Sequence, residues 1–365
     1  MKINKVIISG GGSGGHIFPA VAIADEIKRR NPDVDILFVG ANGKMEMERV
    51  PNAGYKIIGL DIVGFQRRLT FSNFLLPFKI ISSLFNAYKI IKNFKPQVVI
   101  GVGGYASGPT LQAATFLKIP TLVQEQNSFP GKTNKILSNK VTKLCTAYEG
   151  LDKFFPKDKI VMTGNPVRKS MVETEGKREA AFEFYGLDST KKTILVIGGS
   201  LGARTLNESV LNYLNDFEKE GVQILWQGGK FYFESLTDKL QGKNIPTVRM
   251  VQFIDRMDYA YALADVIISR AGAISVSELC LVKKPVILVP SPNVAEDHQT
   301  KNAMALVKNN AAILVKDIVA KEELIPAALN LLKDTSLQNK LSLEIEKMAK
   351  PNATSDIVDE IQKII

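Results

Sequence analysis

The sequence predicts an α/β protein made of two parallel-sheet domains, and three features of its 365 residues predict it. Short β-branched runs alternate with longer helix-like segments, the pattern of parallel sheets covered on both faces. The alternation restarts after Gly164-Asn165-Pro166. The first strand of each series ends in a glycine cluster, Gly10-Gly11-Gly12-Ser13-Gly14-Gly15 in one and Gly198-Gly199-Ser200-Leu201-Gly202 in the other. A chain of this length is also too long for one ordinary core. Two Rossmann-like domains are therefore expected, residues 1–165 and 166–349. Such domains take ligands at the carboxyl ends of their strands, in the cleft where the two sheets face each other.

In the first series, Lys2–Ser9, Val34–Gly40, Tyr55–Leu60, Gln97–Val102, Thr121–Glu125 and Val141–Thr146 read as short buried strands. Ile17–Arg30 and Pro77–Asn93 read as helices between them. In the second series the strands are Lys192–Gly198, Val222–Gly228, Thr247–Phe253, Asp265–Ser269, Pro285–Pro290 and Ala311–Val315. The chain ends in helices, and Ala353-Thr354-Ser355-Asp356 has the residue types of an N-terminal cap for the last one. No short-period repeat or low-complexity segment interrupts this plan.

Composition narrows the class. Apolar residues make up 45% and charged residues 23%, ordinary for a globular protein. The net charge of +10 favours an anionic partner. The lysines are dispersed, with no Arg-rich run and no basic motif interleaved with aromatics, so nucleic acid is the least favoured partner. Cys145 and Cys280 lack metal or redox spacing and fit a reducing compartment. The N-terminus reads as a core strand rather than a signal peptide, and no apolar run approaches transmembrane length. A cytoplasmic protein, or one resting on a membrane from that side, is expected.

The stretch from Val6 to Ala20 is a strand, a glycine turn and a helix start, an order that brings backbone N–H groups up to a phosphate or a sugar. It contains G-x-G-x-x-G at Gly10, Gly12 and Gly15. A dinucleotide fold also needs a carboxylate after its second strand for the ribose hydroxyls. Here that strand ends Phe38-Val39-Gly40-Ala41-Asn42, and His16 directly follows the last glycine. Both features disfavour a nicotinamide or flavin cofactor.

The other strand-end loops point to a sugar nucleotide. Gly101 to Pro109, Gln124 to Ser128 and Thr163 to Arg168 place small or amide residues where strands stop, which suits a neutral polyhydroxylated ligand. Gly198-Gly199-Ser200 is expected to open a helix whose amides, with the Ser200 hydroxyl, hold a diphosphate, and the Arg168 guanidinium would offset its charge. Ser269 to Glu278 is a further strand–turn–helix unit, in which Glu278 is either a ribose ligand or a capping carboxylate. The last loop carries Glu296-Asp297-His298-Gln299. The only two histidines, His16 and His298, both fall in these loops, and neutral imidazole can serve as a general base near pH 7. Asp33-Val34-Asp35 lies at the opposite end of the sheet and reads as solvated turn, so no metal site is expected.

Taken in order, these loops resemble the MurG-type glycosyltransferases of peptidoglycan synthesis, glycosyltransferase family 28. The matching stretches are Gly11 to Ala20, Gly103 to Pro109, Glu125-Gln126-Asn127, Thr163 to Arg168, Gly198 to Ala203, Phe253-Ile254-Asp255, Ala271 to Glu278 and His298 to Ala303. They cover nearly the whole chain. Ser13 stands where the family often has threonine, with the hydroxyl retained. The resemblance implies the two-domain GT-B fold, with the C-terminal helix, about residues 350–365, packed back on the first domain. It also implies inverting transfer of N-acetylglucosamine from UDP-GlcNAc to the C4 hydroxyl of undecaprenyl-linked N-acetylmuramoyl-pentapeptide (lipid I), giving lipid II. By the family pattern Ser200 and Arg168 contact the diphosphate, the Ile254 backbone reads uracil, Glu278 takes the ribose, and Asn127 and Gln299 hold the sugar. Ser13, Gly14 and Gly15 lie near the acceptor and the transferred sugar, Ala273, Ile274 and Ser275 join the donor site, and His298 is a further donor contact. His16 is the candidate base, and no cofactor beyond the donor is required. Another UDP-sugar enzyme of this architecture, such as a glycolipid transferase or a UDP-GlcNAc 2-epimerase, is the alternative, as is a non-catalytic sugar-nucleotide-binding protein.

A membrane-bound acceptor calls for a docking surface. Arg67 to Leu76 sets basic charge beside Phe74 and Leu75, and Phe78, Ile80, Ile81, Leu84, Phe85, Tyr88 and Ile91 cover about half of the next helix. A helix packed on its own sheet needs a stripe of only about 100°. The extra apolar width beside Lys79, Lys89, Lys92 and Lys95 suits an anionic bilayer, with Tyr105 on the acceptor side. A peripheral protein at the cytoplasmic face of the bacterial inner membrane is expected, with other cell-wall synthesis proteins as partners.

Overall fold

The computed structural model describes residues 2–62, 76–243 and 245–365, the side chains of residues 76–78 and 295 excepted. The chain divides into two compact units, Met1–Val167 with Lys350–Ile365, and Arg168–Ala349.

The first unit holds seven parallel strands: β1 (Lys5–Ser9), β2 (Asp35–Ala41), β3 (Lys56–Leu60), β4 (Val98–Gly101), β5 (Thr121–Glu125), β6 (Lys143–Thr146) and β7 (Ile160–Met162). Their order is β3-β2-β1-β4-β5-β6-β7. The strand order reverses between β1 and β4, and at such a switch point the loops splay apart to leave a crevice at the carboxyl end. Strand β1 shows why its run is apolar throughout. Val6 and Ile8 join the core beneath helix Gly14–Arg30, while Ile7 joins the core on the opposite face, beneath helices Leu76–Phe94 and Ser107–Phe116. A strand buried on both sides cannot alternate with polar residues.

Helix Ala353–Ile364 packs against helix Gly14–Arg30. Ile357, Val358 and Ile361 complete the first core there. Arg30 donates to the Ser355 carbonyl at 3.0 Å, to Ser355 Oγ at 2.7 Å and to Gln362 Oε1 at 3.1 Å, and pairs with Asp359. Asn352, one residue before the expected cap, takes the N-cap position without a side-chain bond, and Ser355 lies inside the first turn, engaged by Arg30.

The second unit repeats the plan with six parallel strands: β8 (Lys192–Ile197), β9 (Val222–Gln227), β10 (Val248–Val251), β11 (Val266–Ser269), β12 (Val286–Leu288) and β13 (Ile313–Leu314), in the order β10-β9-β8-β11-β12-β13. The same alternation recurs: Leu195 faces one core, Ile194 and Val196 the other. Trp226 is fully buried and donates from Nε1 to Asn207 Oδ1 at 2.9 Å, which satisfies its one polar atom.

Candidate active site

In the first unit the loop after β1 runs directly into helix Gly14–Arg30, with Ser13 at the N-cap position. His16, in the first turn, bends back over that loop. Its Nδ1 lies 2.9 Å from the Gly11 carbonyl oxygen and 3.3 Å from Ser13 Oγ. A carbonyl oxygen only accepts, so this contact assigns the proton to Nδ1 and leaves the Nε2 lone pair as the basic one. Burial holds the imidazole below its ordinary pKa, against the Gly11 hydrogen bond and the charges of Glu125 and Glu46, all of which pull it up. The ring is therefore neutral at pH 7, the state a general base needs.

The loop after β4 passes close beneath the ring. Gly103 has φ +95°, and a Cβ on it would lie 2.9 Å from His16 Nε2 and Cδ2. A side chain there would cover the basic nitrogen, so this close approach admits only glycine. Tyr105, two residues on, is exposed. After β5, Glu125 is buried and organises the next loop. Its Oε1 accepts from the Asn127 N–H at 3.0 Å and from Asn127 Nδ2 at 3.3 Å, and its Oε2 accepts from the Gly131 N–H at 3.0 Å and Asn134 Nδ2 at 2.8 Å. Asn127 is thus positioned by a carboxylate that the sequence showed only as part of a motif.

In the second unit the glycine turn differs from expectation. Helix Arg204–Asn212 starts four residues after Ser200, with Ala203 at the N-cap, so Ser200 sits in the preceding turn and does not open the helix. The turn is clamped onto the loop after β9: the Lys230 N–H donates to the Ser200 carbonyl at 3.0 Å, and the Phe231 N–H to the Leu201 carbonyl at 3.2 Å. Gln227 Nε2 adds a bond to the Gly199 carbonyl at 2.8 Å. Beside this turn opens a cavity of about 610 Å³, walled by Gly199, Arg204, Arg270, Ser275, Gln299 and Asp317. Gln299 is oriented by the Ser291 N–H, which donates to its Oε1 at 2.8 Å. His298 and Gln299 belong to the first turn of helix His298–Val307 rather than to a loop.

No sequence signal pairs Arg270 with Asp317, which the fold brings together. Arg270 Nη1 donates to the Val289 carbonyl at 3.0 Å and the Pro290 carbonyl at 3.3 Å, and pairs with Asp317. Thr205 Oγ1 donates to the other Asp317 oxygen at 3.0 Å. The pair ties together the ends of β11, β12 and β13 under the cavity.

Ala273, Ile274, Ser275 and Glu278 share helix Ala273–Val282, which follows β11 directly. Burial raises the Glu278 carboxyl to about 7, while the Tyr261 hydroxyl, donating to Oε2 at 3.2 Å, and the Arg168 charge pull it down. The Arg168 charge thus reaches the Glu278 carboxyl within the second unit. The Ile254 side chain is buried in the core of the second unit, which leaves only its backbone available for outside contacts. Phe74 and Leu75 lie outside the described residues, as does the Phe78 side chain; Ile80, Ile81 and Phe85 are exposed on helix Leu76–Phe94.

Residues 6–146 match the N-terminal domain of glycosyltransferase family 28, and residues 193–361 match the C-terminal domain of the same family. The chain belongs to glycosyltransferase family 28. This family 28 chain is 54% identical over 365 residues to a protein of Flavobacterium psychrophilum named UDP-N-acetylglucosamine--N-acetylmuramyl-(pentapeptide) pyrophosphoryl-undecaprenol N-acetylglucosamine transferase, covering 100% of this chain and 99% of that one. A protein of the same name from Christiangramia forsetii is 55% identical over 361 residues, with 99% and 98% covered. Among solved structures, that of Acinetobacter baumannii MurG superimposes with a TM-score of 0.79 at 30% identity, covering 99% of each chain. The two parallel-sheet domains expected from the sequence are those of the GT-B glycosyltransferases. The glycine turns, His16 and the Glu278 helix all fall inside the matched family 28 domains.

Proposed function

We propose that this glycosyltransferase moves N-acetylglucosamine from UDP-GlcNAc to the C4 hydroxyl of undecaprenyl-linked N-acetylmuramoyl-pentapeptide, forming lipid II at the cytoplasmic face of the bacterial membrane. End-to-end similarity to transferases of that name carries the proposal, and favours it over the epimerase and binding-protein alternatives. His16 Nε2 takes the proton of the acceptor hydroxyl as its oxygen attacks the anomeric carbon from the face opposite UDP. The bond from that carbon to the diphosphate oxygen breaks, its electron pair leaves with UDP, and the configuration inverts. The backbone amides around Ser200, the N-terminus of helix Arg204–Asn212 and the Arg168 guanidinium stabilise the departing diphosphate. Glu278 binds the ribose, the Ile254 backbone binds uracil, and Asn127 and Gln299 hold the sugar. Ser13, Gly14 and Gly15 serve the acceptor side, Ala273, Ile274, Ser275 and His298 the donor side. With these groups the reaction calls for no cofactor beyond the donor. Incubation with radiolabelled UDP-GlcNAc and a lipid I analogue is expected to move label into the lipid product. Label remaining wholly in UDP-GlcNAc with folded protein would overturn the proposal.

The raised Glu278 carboxyl makes donor binding depend on pH. Ribose hydroxyls donate best to the carboxylate, whose fraction rises as pH climbs through about 7. The donor KM is therefore expected to fall by roughly tenfold between pH 6 and pH 8. In Glu278→Gln it should be high and flat over that range, and steady-state kinetics at both pH values check this.

No helix among the described residues is long and apolar enough to cross a membrane. Docking instead falls to helix Leu76–Phe94, where Ile81 is 65% and Phe85 56% exposed. The Lys89 ammonium sits 4.3 Å from the Phe85 ring centre, an apolar and cationic pairing suited to an anionic lipid surface. Replacing Ile81 and Phe85 together by serine should leave stability nearly unchanged but weaken partitioning into anionic vesicles by at least about tenfold. Unchanged co-sedimentation would rule this helix out as the docking surface.

A further inference from the structure

One peptide unit in the first domain is held at both ends. The Gly11 carbonyl oxygen receives the His16 Nδ1 contact at 2.9 Å, and the N–H of the same peptide, that of Gly12, donates to Glu46 Oε2 at 2.7 Å. The other Glu46 oxygen accepts from the Ala41 N–H at 3.0 Å, at the end of β2. Glu46 is only 1% exposed, so its carboxylate is spent on these two backbone donors rather than on water. The surrounding glycines make room for it. A Cβ on Gly11 would lie 2.1 Å from Glu46 Cδ, and one on Gly40 would lie 2.6 Å from Cγ. Ordinary helix-surface glutamates need no such accommodation.

We propose that Glu46 is a positioning residue for the transfer reaction: acting through the Gly11–Gly12 peptide, it fixes His16 in its Nδ1–H tautomer and keeps Nε2 as the basic nitrogen. The inference rests on His16 being the base. An anion hydrogen-bonded to the N–H of an amide polarises it, so more negative charge sits on its carbonyl oxygen and that oxygen accepts more strongly. The effect resembles a carboxylate bound directly to the far nitrogen of a histidine base, with one peptide interposed. The charged groups acting on the ring are Glu46, from helix Glu46–Asn52, and Glu125, from the end of β5. Both are acidic and both raise its proton affinity. Removing the Glu46 charge therefore lowers that affinity, and the base stays neutral to lower pH while becoming weaker.

The test pairs kinetics with spectroscopy. In Glu46→Gln, kcat is expected to fall by about tenfold with the KM for UDP-GlcNAc unchanged, and the acid limb of the pH–rate profile should move to lower pH. A purely structural glutamate would leave that limb in place, and an unmoved limb overturns the proposal. Ring-nitrogen NMR gives a second route in the wild-type protein, since His16 and His298 are its only histidines. Neutral His16 should carry its proton on Nδ1, and a proton on Nε2 would overturn the proposal whether or not the variant folds. Near-normal turnover in His16→Ala would instead remove the base assignment on which it rests.

Discussion

Replacing His16 by alanine is expected to lower kcat by roughly 10²–10⁴-fold, the usual worth of a general base, or about 3–5 kcal/mol of barrier. UDP binding, measured by calorimetry, should be unchanged, because the groups assigned to UDP all come from the second unit, Arg168–Ala349. The loss should appear in single-turnover chemistry as well as in the steady state. For the wild-type enzyme, kcat at saturating donor, where the Glu278 effect on KM drops out, should fall on the acid side with a midpoint below the ordinary histidine value, since burial depresses the His16 pKa. The sign is fixed by the chemistry: activity needs the neutral ring, so it is retained above that midpoint and lost as pH falls through it. Near-normal turnover in the variant, or an acid limb that persists without His16, would transfer the role to another group.

The second large effect is expected at Gly229. It has φ +82°, and a Cβ on it would lie 2.1 Å from both the N and Cα of Gly202, itself at φ +89°. Backbone atoms cannot rotate out of the way as a side chain can. Gly229→Ala therefore combines a left-handed alanine, about 1 kcal/mol, with a forced separation of the two loops that clamp Ser200. A total loss of about 3 kcal/mol is expected, or roughly 6–12 °C in the melting temperature of a unit this size. The donor KM should rise at least about tenfold, because the turn assigned to the diphosphate shifts. Gly221→Ala is the control: its φ is +62°, but nothing lies within 4 Å of a Cβ there. That variant should lose only the conformational part, with donor KM intact. Equal effects in the two variants would show that crowding at Gly202 is not the cause.

Much of this architecture was legible because strands buried on both faces must be apolar throughout, and runs such as Val6-Ile7-Ile8 and Ile194-Leu195-Val196 have few other uses. Strand β7 carries little sequence signal because Ile160-Val161-Met162 is short, flanked by Lys159 and Thr163, and only partly buried at the sheet edge. The glycine turns and both histidines could be found from their place after strands. The supporting residues could not. In Lys44-Met45-Glu46-Met47-Glu48, nothing distinguishes Glu46 from Glu48, and the difference appears only when β2 and the glycine loop close around one of them. Arg270 and Asp317 stand 47 positions apart, and the sheet order alone brings them together. A glycine cluster signals a turn but not its length, so the sequence alone does not show that the helix starts four residues after Ser200. The clamp against Lys230 and Phe231 extends this turn to Ala203.

Helix Ala353–Ile364 has a consequence for how the protein is made. It fills the first core with Ile357, Val358 and Ile361, yet it is synthesised after the whole of the second unit. As the chain leaves the ribosome, the first sheet can form, but the face under helix Gly14–Arg30 stays only partly covered until residues 353–364 emerge. The second unit, contiguous in sequence, can reach its native state first. Each of those three side chains is worth about 1.5–3 kcal/mol when buried. Nascent chains arrested before residue 350 should therefore present a protease-sensitive, chaperone-binding first unit beside a resistant second one, and release of the final helix should close it in a single late step.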